Sequence, residues 1–533
     1  MSSKRLLFAS AIVAAIFVNA AAQGRCCAAD PIAPCTGSGT EQGYAIDYSG
    51  SLLMQASDGK TAPYYLSSRR DGTLWVSPYV TAARIGAHRD RDDSRRFAYS
   101  FGADLVAGYL SGVEYGRWLT DGDKWGKHDL RPSAVHLQQL YGSVKWRSLL
   151  LQAGLWENTF SIFPAFGSGD LVYSDNARPV PQVRLGFVRF QDVPLTRGWL
   201  QVMADVAYGK FTDSRWLEKQ FNYYSDFVTT GTLMHHKRLY FRVADRQPLA
   251  FTVGLQHAAQ FGGTRRIYLD GKMIEEHKMK GGLKQFLKVL VPSRGEGSEY
   301  YDGNSLGSWD ASLRWRLPQG HCLTAYFQWP WEDGSGIGKL NGWDGVWGLS
   351  YSAATPQWID RATVEYIDLT NQSGPMHWAP GDFPGTGIPG EATGADDYYN
   401  NFAYDGWANY GMSMGSPFVK SPAYNLDGYP AFLDNRLRGY HIGISGTPAA
   451  GWNYELLFSQ RTSWGTPKIP APHRRHDTSW SAAASWTPRA VPQLAVTAQL
   501  AGTHGSLYGN SFGARVSLTY SGTFTFKKKH NGK

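Results

Sequence analysis

The chain has 533 residues, a mean hydropathy of −0.36 and a formal net charge of +9 at pH 7. This hydropathy excludes a bundle of membrane-spanning helices, and a charge this modest, partly carried by Lys527–Lys529, gives no reason to expect a nucleic-acid partner. The length allows either several soluble domains or one large barrel. An aromatic content of 14% with 60 glycines is typical of an outer-membrane barrel, which has aromatic girdles and many tight turns.

The first 22 residues have the three parts of a secretory signal peptide. Lys4 and Arg5 precede an apolar run, Leu6–Val18, and Ala20 and Ala22 complete an A-x-A cleavage pattern. The apolar run is too short to anchor the chain as a membrane helix. We therefore expect cleavage after Ala22 and export of the mature chain.

Alternating segments fill the rest of the chain and predict strands with one apolar and one polar face. The clearest is the last, in which one face carries Phe512, Ala514, Val516, Leu518, Tyr520, Phe524 and Phe526, and the other carries Arg515, Ser517, Thr519, Ser521, Thr523 and Thr525. Such a strand needs a hydrophobic medium on one side and a polar space on the other. Elsewhere the polar faces carry arginines, which are costly in a dry core and ordinary in a wet lumen: Arg238, Arg242, Arg314 and Arg316.

Reading every such segment predicts an all-β, antiparallel outer-membrane β-barrel of about 18 strands. The spans are 44–55, 74–88, 96–112, 136–147, 148–157, 181–190, 198–209, 236–244, 248–258, 307–316, 321–331, 343–353, 360–369, 436–446, 452–461, 477–487, 492–502 and 511–526. Connections after the odd strands are mostly long, with 503–510 as a short exception, and those after the even strands are short. This pattern predicts long extracellular loops and short periplasmic turns.

The chain is thus expected to comprise a signal peptide (1–22), a periplasmic N-terminal segment (23–43), a transmembrane barrel (44–526) and a basic periplasmic tail (527–533). Outer-membrane lipid and lipopolysaccharide are the partners that such a wall would contact. All four cysteines are expected on the oxidising periplasmic side, where disulfides among them are a hypothesis whose connectivity the sequence leaves open: Cys26, Cys27, Cys35 and Cys322.

One outer connection, 462–476, contains two histidines and three prolines. The spacing of His473 and His476 would allow a shared metal ion only on a helix, and Pro470 and Pro472 predict a loop instead. We therefore expect neither a metal site nor a cofactor.

Several motifs between about residues 230 and 470 resemble the capsule assembly Wzi family of outer-membrane proteins. The segments that carry the resemblance are HHKRLYFRV (His235–Val243), FTVGLQHAAQFGG (Phe251–Gly263), DGNSLGSWD (Asp302–Asp310), WEDGSGIGKLNGWDGVWGLSY (Trp331–Tyr351), NQSGP (Asn371–Pro375), YGMSMGSP (Tyr410–Pro417) and RTSWGTP (Arg461–Pro467). The resemblance implies a non-enzymatic lectin that binds capsular or surface polysaccharide and supports capsule assembly or attachment. This chain departs from the family before the first strand. Enterobacterial members have a helical plug there, but the sequence of this chain shows no amphipathic helical period. The long loops would therefore have to close the lumen.

Sugar rings stack on aromatic side chains and their hydroxyls bind amides and carboxylates, so the outer loops supply the candidate carbohydrate-binding residues. They are Trp343, Asp344, Trp378, Tyr404, Trp407, Asn409 and Tyr410. Girdle or packing roles are the alternative for each ring, because aromatic girdles are a general feature of membrane barrels.

Two other functions remain open from the sequence. A sugar- or anion-selective porin would also have arginines on its inner wall, but its lumen would conduct. An outer-membrane hydrolase would need a nucleophile, and Gly509–Gly513 matches G-x-S-x-G. That motif requires a helix after the serine, whereas a strand is predicted there, so we interpret the match as accidental.

Overall fold

The structure, a computed structural model, describes residues 43–158, 161–164, 166–290, 303–332, 341–374, 377–378, 392–393 and 396–527. Eighteen strands form one barrel wall. In chain order, β1 to β18 are Gly43–Ser57, Val80–Arg89, Phe97–Leu110, Val135–Trp146, Leu149–Leu155, Gln182–Phe187, Leu200–Lys210, Leu233–Val243, Leu249–Phe261, Asn304–Arg316, Cys322–Trp331, Gly345–Ser352, Arg361–Asp368, Leu437–Ala449, Trp452–Gly465, Pro470–Trp486, Leu494–Gly505 and Ser511–Lys527.

Each strand pairs antiparallel with the strands next to it in the chain, and the sheet closes on itself. The short piece Gln191–Asp192 continues β6 along β7 after an interruption. Closure joins β1 to β18, with Gly50 opposite Tyr520 near the middle of the pair. The structure therefore confirms the predicted closed barrel of 18 antiparallel strands.

The two faces of the wall have opposite polarity. Apolar side chains such as Ile85, Leu518 and Phe524 point outward and are 62%, 45% and 55% exposed, whereas Arg461 and Asp477 point inward and are fully buried. A soluble protein would have the reverse arrangement, and a lipid-facing wall accounts for it. The alternation read from the sequence follows these two faces.

The connections at one end of the barrel are mostly long, and those at the other end are short. We name the connections at the long end L1 (58–79), L2 (111–134), L3 (156–181), L4 (211–232), L5 (262–303), L6 (332–344), L7 (369–436), L8 (466–469) and L9 (506–510). In outer-membrane barrels the long loops face the cell exterior, so we refer to this end as the outer end.

The prediction of an outer loop over residues 462–476 is wrong for most of its length. β15 continues to Gly465 and β16 begins at Pro470, so only a short turn remains between them. Pro470 is tolerated because it opens the strand next to a register shift, where no ladder N–H is required of it. His473 and His476, three residues apart on extended chain, point to opposite faces.

The second strand also begins later than predicted, at Val80 instead of residue 74. The residues before it leave the wall, and Leu74, Trp75 and Val76 are buried inside the molecule. Trp75 has a φ of 50°, a left-handed conformation that ends any extended run. The apolar run therefore belongs to packing of L1 and not to the lipid-facing wall.

Short helices lie in the outer loops: Tyr64–Ser67 in L1, Ser214–Gln220 in L4 and Leu283–Lys288 in L5. Within the described part of the chain, no helix has the length and apolar character needed to cross a bilayer.

Candidate functional site

L3 enters the lumen and crosses it near the inner end. On one side, Ile162 packs against Phe190 and Met203 of the wall. On the other side, the carbonyl of Phe166 accepts a hydrogen bond of 2.8 Å from Nε2 of His441, and the guanidinium of Arg361 lies 5.5 Å from the ring of Phe166. Arg361 is the first residue of β13 at the inner end, so L3 runs most of the length of the barrel.

Polar side chains of the wall hold the backbone of L3 in this position. A carboxylate oxygen of Glu365 accepts a hydrogen bond of 2.5 Å from the amide of Ser168, and Oε1 of Gln328 accepts one of 2.7 Å from the amide of Leu171. Nε2 of Gln256 donates to the carboxylate of Asp170 at 2.7 Å. Because these groups are buried, each needs its partner, and the loop supplies it.

L1 is held by side chains of β15 and β17. The hydroxyls of Tyr65 and Ser459 share a hydrogen bond of 2.6 Å, and the amide of Tyr64 donates to Oγ1 of Thr503 at 3.0 Å. The buried ion pair between Arg461 and Asp477, at 2.6 Å, lies directly beneath, with the guanidinium 3.7 Å from the ring of Tyr64. The wall charge is therefore neutralised by its neighbour and covered by an aromatic ring.

L7 packs over L1 and L3 and completes a hydrophobic core inside the outer half of the barrel. The indole N–H of Trp407 donates to the carbonyl of Val172 at 2.6 Å, and the hydroxyl of Tyr399 donates to that of Leu171 at the same distance. Further members of this core are Trp75, Tyr115, Phe211, Met412, Met414, Phe418, Val419, Tyr424 and Phe432. The loops thus fill this part of the lumen.

Three of the four wall arginines singled out from the sequence have nearby partners. Arg238 lies 2.8 Å from the carboxylate of Asp205, and Arg314 lies 2.7 Å from that of Asp245. The guanidinium of Arg242 packs 4.0 Å from the ring of Phe190. These side chains serve packing and charge neutralisation in the wall.

Four of the seven predicted carbohydrate-binding residues are buried among the outer loops. Trp407 and Tyr404 are buried, and Asn409 is buried with its Nδ2 donating to the carbonyl of Arg178 at 2.7 Å. Asp344 is buried as well and accepts hydrogen bonds from the amides of Asn371 and Gln372. In this arrangement none of the four presents a free face to a sugar, because the parts of L6 and L7 that carry them pack inward.

The remaining three predicted residues lie elsewhere. Tyr410 is half-buried, with the guanidinium of Arg178 4.3 Å from its ring. Trp343 is exposed and its ring lies 5.6 Å from that of Trp347 on the lipid-facing wall, a girdle position. Trp378 lies in the two-residue strand His377–Trp378, where only the backbone is described. The carbohydrate-binding role of the set stays a prediction.

Of the predicted disulfide cysteines, only Cys322 lies within the described residues, where it is a free thiol at the start of β11. Cys26, Cys27 and Cys35, like the signal peptide and the N-terminal segment, fall outside those residues. The pairing stays a prediction. The G-x-S-x-G match lies at the start of β18, so Ser511 is followed by a strand.

The outer surface carries an exposed aromatic cluster that the sequence reasoning missed. We call it the aromatic platform: Trp118, Trp125, Tyr223, Tyr224 and Tyr268, from L2, L4 and L5. The rings of Trp118 and Trp125 lie 4.9 and 5.1 Å from that of Tyr224, and the rings of Tyr223 and Tyr268 are 4.8 Å apart. Trp125 is 48% exposed and the other four are partly exposed. These rings therefore offer faces and edges to solvent.

Backbone hydrogen bonds between the three loops fix the platform. The amide of Trp118 donates to the carbonyl of Asn222 at 2.8 Å, and the amides of Asp270 and Gly271 donate to the carbonyls of Tyr224 and Tyr223. Below it, the L2 strands Val113–Leu119 and Lys124–Leu130 form a hairpin. The rings are thus carried by a rigid scaffold and not by free loop tips.

Charged groups surround the platform. The guanidinium of Arg117 lies 5.1 Å from the ring of Tyr223, and Arg266 lies 2.7 Å from Glu276. Both tyrosine hydroxyls are protonated at neutral pH, and burial raises the pKa of Tyr223 and Tyr268 further. The hydroxyl of Tyr223 donates to the carbonyl of Glu218 at 2.9 Å. Apolar ring faces beside planar charged groups are the combination that sugar recognition uses.

One sequence signal for the platform was available. Trp118 and Trp125 flank the turn Thr120–Asp123, so a short hairpin would bring the two indoles together. The contribution of L4 and L5 could not be read in this way, because it depends on pairing between segments far apart in the chain.

No protein-family model matches the chain, and no curated protein matches it in sequence. Among solved structures it is similar to Wzi of Escherichia coli, described as an outer-membrane protein involved in group 1 capsule assembly and a carbohydrate-binding β-barrel. The identity is 11%, the TM-score is 0.53, and the match covers 89% of this chain and 83% of that one.

Lower structural similarity extends to OccAB2 of Acinetobacter baumannii, at 8% identity and a TM-score of 0.44, covering 90% of this chain and 98% of that one. OprD of Pseudomonas aeruginosa matches at 7% identity and a TM-score of 0.41, covering 90% and 93%. At these identities the likeness is one of fold, and membership of the Wzi family stays a prediction from the loop motifs. The chain has the fold of a bacterial outer-membrane β-barrel protein.

Proposed function

We propose that this barrel is a non-enzymatic outer-membrane lectin whose outer loops bind capsular or other surface polysaccharide and so support capsule attachment or assembly. The observation that carries the proposal is the aromatic platform, which lies on the outer surface above a lumen occupied by loops. The resemblance of the loop motifs to the Wzi family and the fold likeness to a carbohydrate-binding barrel agree with it.

The packing of the lumen favours a lectin over a porin. L3 crosses near the inner end, and L1 and L7 fill the outer half with a hydrophobic core. An ion entering from outside would have to displace buried rings such as Trp407 and Phe418, both almost fully buried. Conduction therefore requires large loop movements in this architecture.

The platform suits a polysaccharide better than a small sugar. It combines ring faces from three loops with Arg117, Arg266 and Glu276 at its edge, on an open surface rather than in a closed pocket. An open surface accepts an internal segment of a long chain, and several weak contacts along the chain add up.

The test is binding of purified protein to an array of bacterial capsular and lipopolysaccharide-derived polysaccharides. The variant combines Trp125→Ala and Tyr224→Ala, and we expect its affinity to fall by about tenfold or more, equivalent to about 1.4 kcal/mol. The matched control is Trp358→Ala, an exposed tryptophan in the short turn at the opposite end of the barrel. Wild-type affinity in the platform variant would contradict the site.

A second measurement separates the lectin from the porin. We expect the wild-type protein in planar bilayers to give almost no single-channel current at neutral pH. A steady current that is blocked by sugars or anions would favour the porin, whether or not the platform also binds glycan. Turnover of an ester or glycan substrate would favour the hydrolase.

A further inference from the structure

Part of L5 lies against the outside of the barrel wall. The ring of Phe286, in the helix Leu283–Lys288, lies 5.2 Å from that of Tyr208 and 5.0 Å from that of Phe261. The hydroxyl of Tyr208 donates to the carbonyl of Phe286 at 2.7 Å. Tyr208 and Phe261 alternate with inward-facing residues such as Asp205, so they belong to the outer face of the wall. The helix is therefore on the membrane side.

The helix lies at the outer rim of this wall. Leu233 and Phe261 form the last pair of the β8–β9 ladder at that end, and both are next to the helix in the same cluster. Lys237 lies four residues further along β8, toward the inner end, and its Nζ donates to the carbonyl of Leu290. This height corresponds to the boundary between headgroups and acyl chains of the outer leaflet.

The free face of this segment is apolar. Leu283, Leu287 and Leu290 are 81%, 67% and 37% exposed. The spacing of four residues places Leu283 and Leu287 on one side of the helix, and Leu290 follows two residues after its end. Three adjacent exposed leucines are unfavourable in water but favourable when they lie in the boundary region of a bilayer. The segment thus has one face for the protein, through Phe286 and Val289, and one face for lipid.

In the described stretch of chain that carries the leucines, the formal charges are all positive. Residues 277–290 contain four lysines and no acidic residue: Lys278, Lys280, Lys284 and Lys288. Lys278 and Lys284 are exposed. A helix with apolar and cationic sides is suited to an anionic lipid surface.

A cleft of about 500 Å³ borders the start of the helix. Lys210 and Lys278 line it, together with Thr230, Thr264 and five glycines. A Cβ atom added at Gly282 would have no other atom within 4 Å, so the cleft is open at this glycine. Bare peptide groups and two ammonium groups make a site for a phosphate-bearing headgroup.

We propose that this surface binds a phosphorylated glycolipid of the outer leaflet, with the phosphosugar headgroup in the cleft and an acyl chain along the leucines. Two features that do not depend on each other point to the same ligand: the cationic cleft and the apolar stripe beside it at the height of the leaflet boundary. An uncharged lipid would leave the cleft unused, and a free anion would leave the leucines in water.

The test uses the full-length protein in nanodiscs of phosphatidylethanolamine with a small fraction of diphosphoryl lipid A, and counts the lipid A retained by native mass spectrometry. The variant combines Lys210→Gln, Lys278→Gln and Lys284→Gln. We expect its retention of lipid A to fall by about tenfold or more, because three cations near an anionic headgroup are removed. The control, with the same change of charge, combines Lys124→Gln, Lys272→Gln and Lys468→Gln, exposed lysines of other loop positions, and should retain lipid A like the wild type.

Two further arms address the ligand class. Dephosphorylated lipid A should be retained no better than phosphatidylethanolamine, and Leu283→Ser with Leu287→Ser should weaken retention while the barrel stays folded by heat-modifiable mobility in gels. Equal retention by the two triple variants would overturn the proposal. So would displacement by millimolar inorganic phosphate, which would assign the cleft to a free anion, or a dimer lost in the leucine variant, which would assign the stripe to a second copy.

Discussion

L3 and L5 leave the same end of the barrel, yet L3 enters the lumen and the last part of L5 lies against the outside of the wall. Glu365, Gln328 and Gln256, all inward and buried, hold L3 by hydrogen bonds. Tyr208 and Phe261, both outward, hold L5 mainly by ring contacts. The comparison shows that the polarity of a wall face decides which loop it can hold, because a buried polar wall needs partners and an apolar wall needs none.

The largest effect is expected from removing L3 from the lumen. Replacing residues 158–178 by Gly-Ser-Gly-Ser should raise single-channel conductance in planar bilayers from almost none to a steady open level, because the segment that crosses near the inner end is gone. The ends of β5 and β6 are paired neighbours, so a short linker spans them.

The matched control shortens L5 instead. Replacing residues 265–277 by Gly-Gly removes a hairpin that stands outside the lumen and should leave the conductance at the wild-type level. An L3 variant that is folded but as silent as the wild type would mean that L1 and L7 close the barrel without L3.

The second prediction compares the two faces of the wall by their stability. Asp477→Ala leaves Arg461 fully buried without its ion-pair partner, and we expect it to lower the free energy of unfolding by about 3–5 kcal/mol. Leu518→Ala, on the lipid face, should lower it by only about 1–2 kcal/mol, since lipid fills the space and no cavity forms. Equilibrium urea unfolding from lipid vesicles measures both. The reverse order would contradict the account of the inner wall.

The third prediction concerns pH and the outer loops. Burial raises the pKa of Asp213 in L4 and of Asp344 in L6 to about 6. Both carboxyl groups therefore bind a proton more tightly in the folded loops than in the unfolded chain. The stability that these two groups contribute falls as the pH rises from about 4 to about 6 and does not change further above that range. Hydrogen exchange of the amides of Asn371 and Gln372, corrected for intrinsic rates, should be slower at pH 5 than at pH 7.5.

Asp344→Asn should reduce this pH dependence, because the titrating carboxyl is gone. Asp121→Asn, at the exposed tip of the L2 hairpin, serves as the control and should leave it unchanged. The same pH dependence in all three proteins would assign it to other groups.

The wall could be predicted from the sequence because its signal is local. A strand between lipid and a polar lumen alternates at every second residue, as β18 does from Phe512 to Phe526, and all 18 predicted strands correspond to strands of the barrel. The strand boundaries were predicted wrongly where an apolar run packs inside the barrel or where prolines begin a strand. Leu74–Val76 packs into the lumen, and the prolines at 470 and 472 open a strand next to a bulge.

The site was harder to predict because loop direction depends on long-range partners. Ser168 meets Glu365 across 197 positions of the chain, and Trp407 meets Val172 across 235. Nothing in the composition of L7 distinguishes a tryptophan that packs inward from one that faces solvent. Trp118 and Trp125 were overlooked for the same reason, since their partners in L4 and L5 adjoin them only after folding.

The contacts that hold L1 determine when this loop can take its position during folding. Tyr64 and Tyr65 are held by Thr503, Ser459 and Gln499, up to 439 positions later in the chain. These partners belong to β15 and β17, which are among the last strands in the chain. L1 can therefore take its final position only after those strands have joined the wall. Filling of this part of the lumen therefore depends on strands near the C-terminal end of the barrel, although L1 itself follows the first strand.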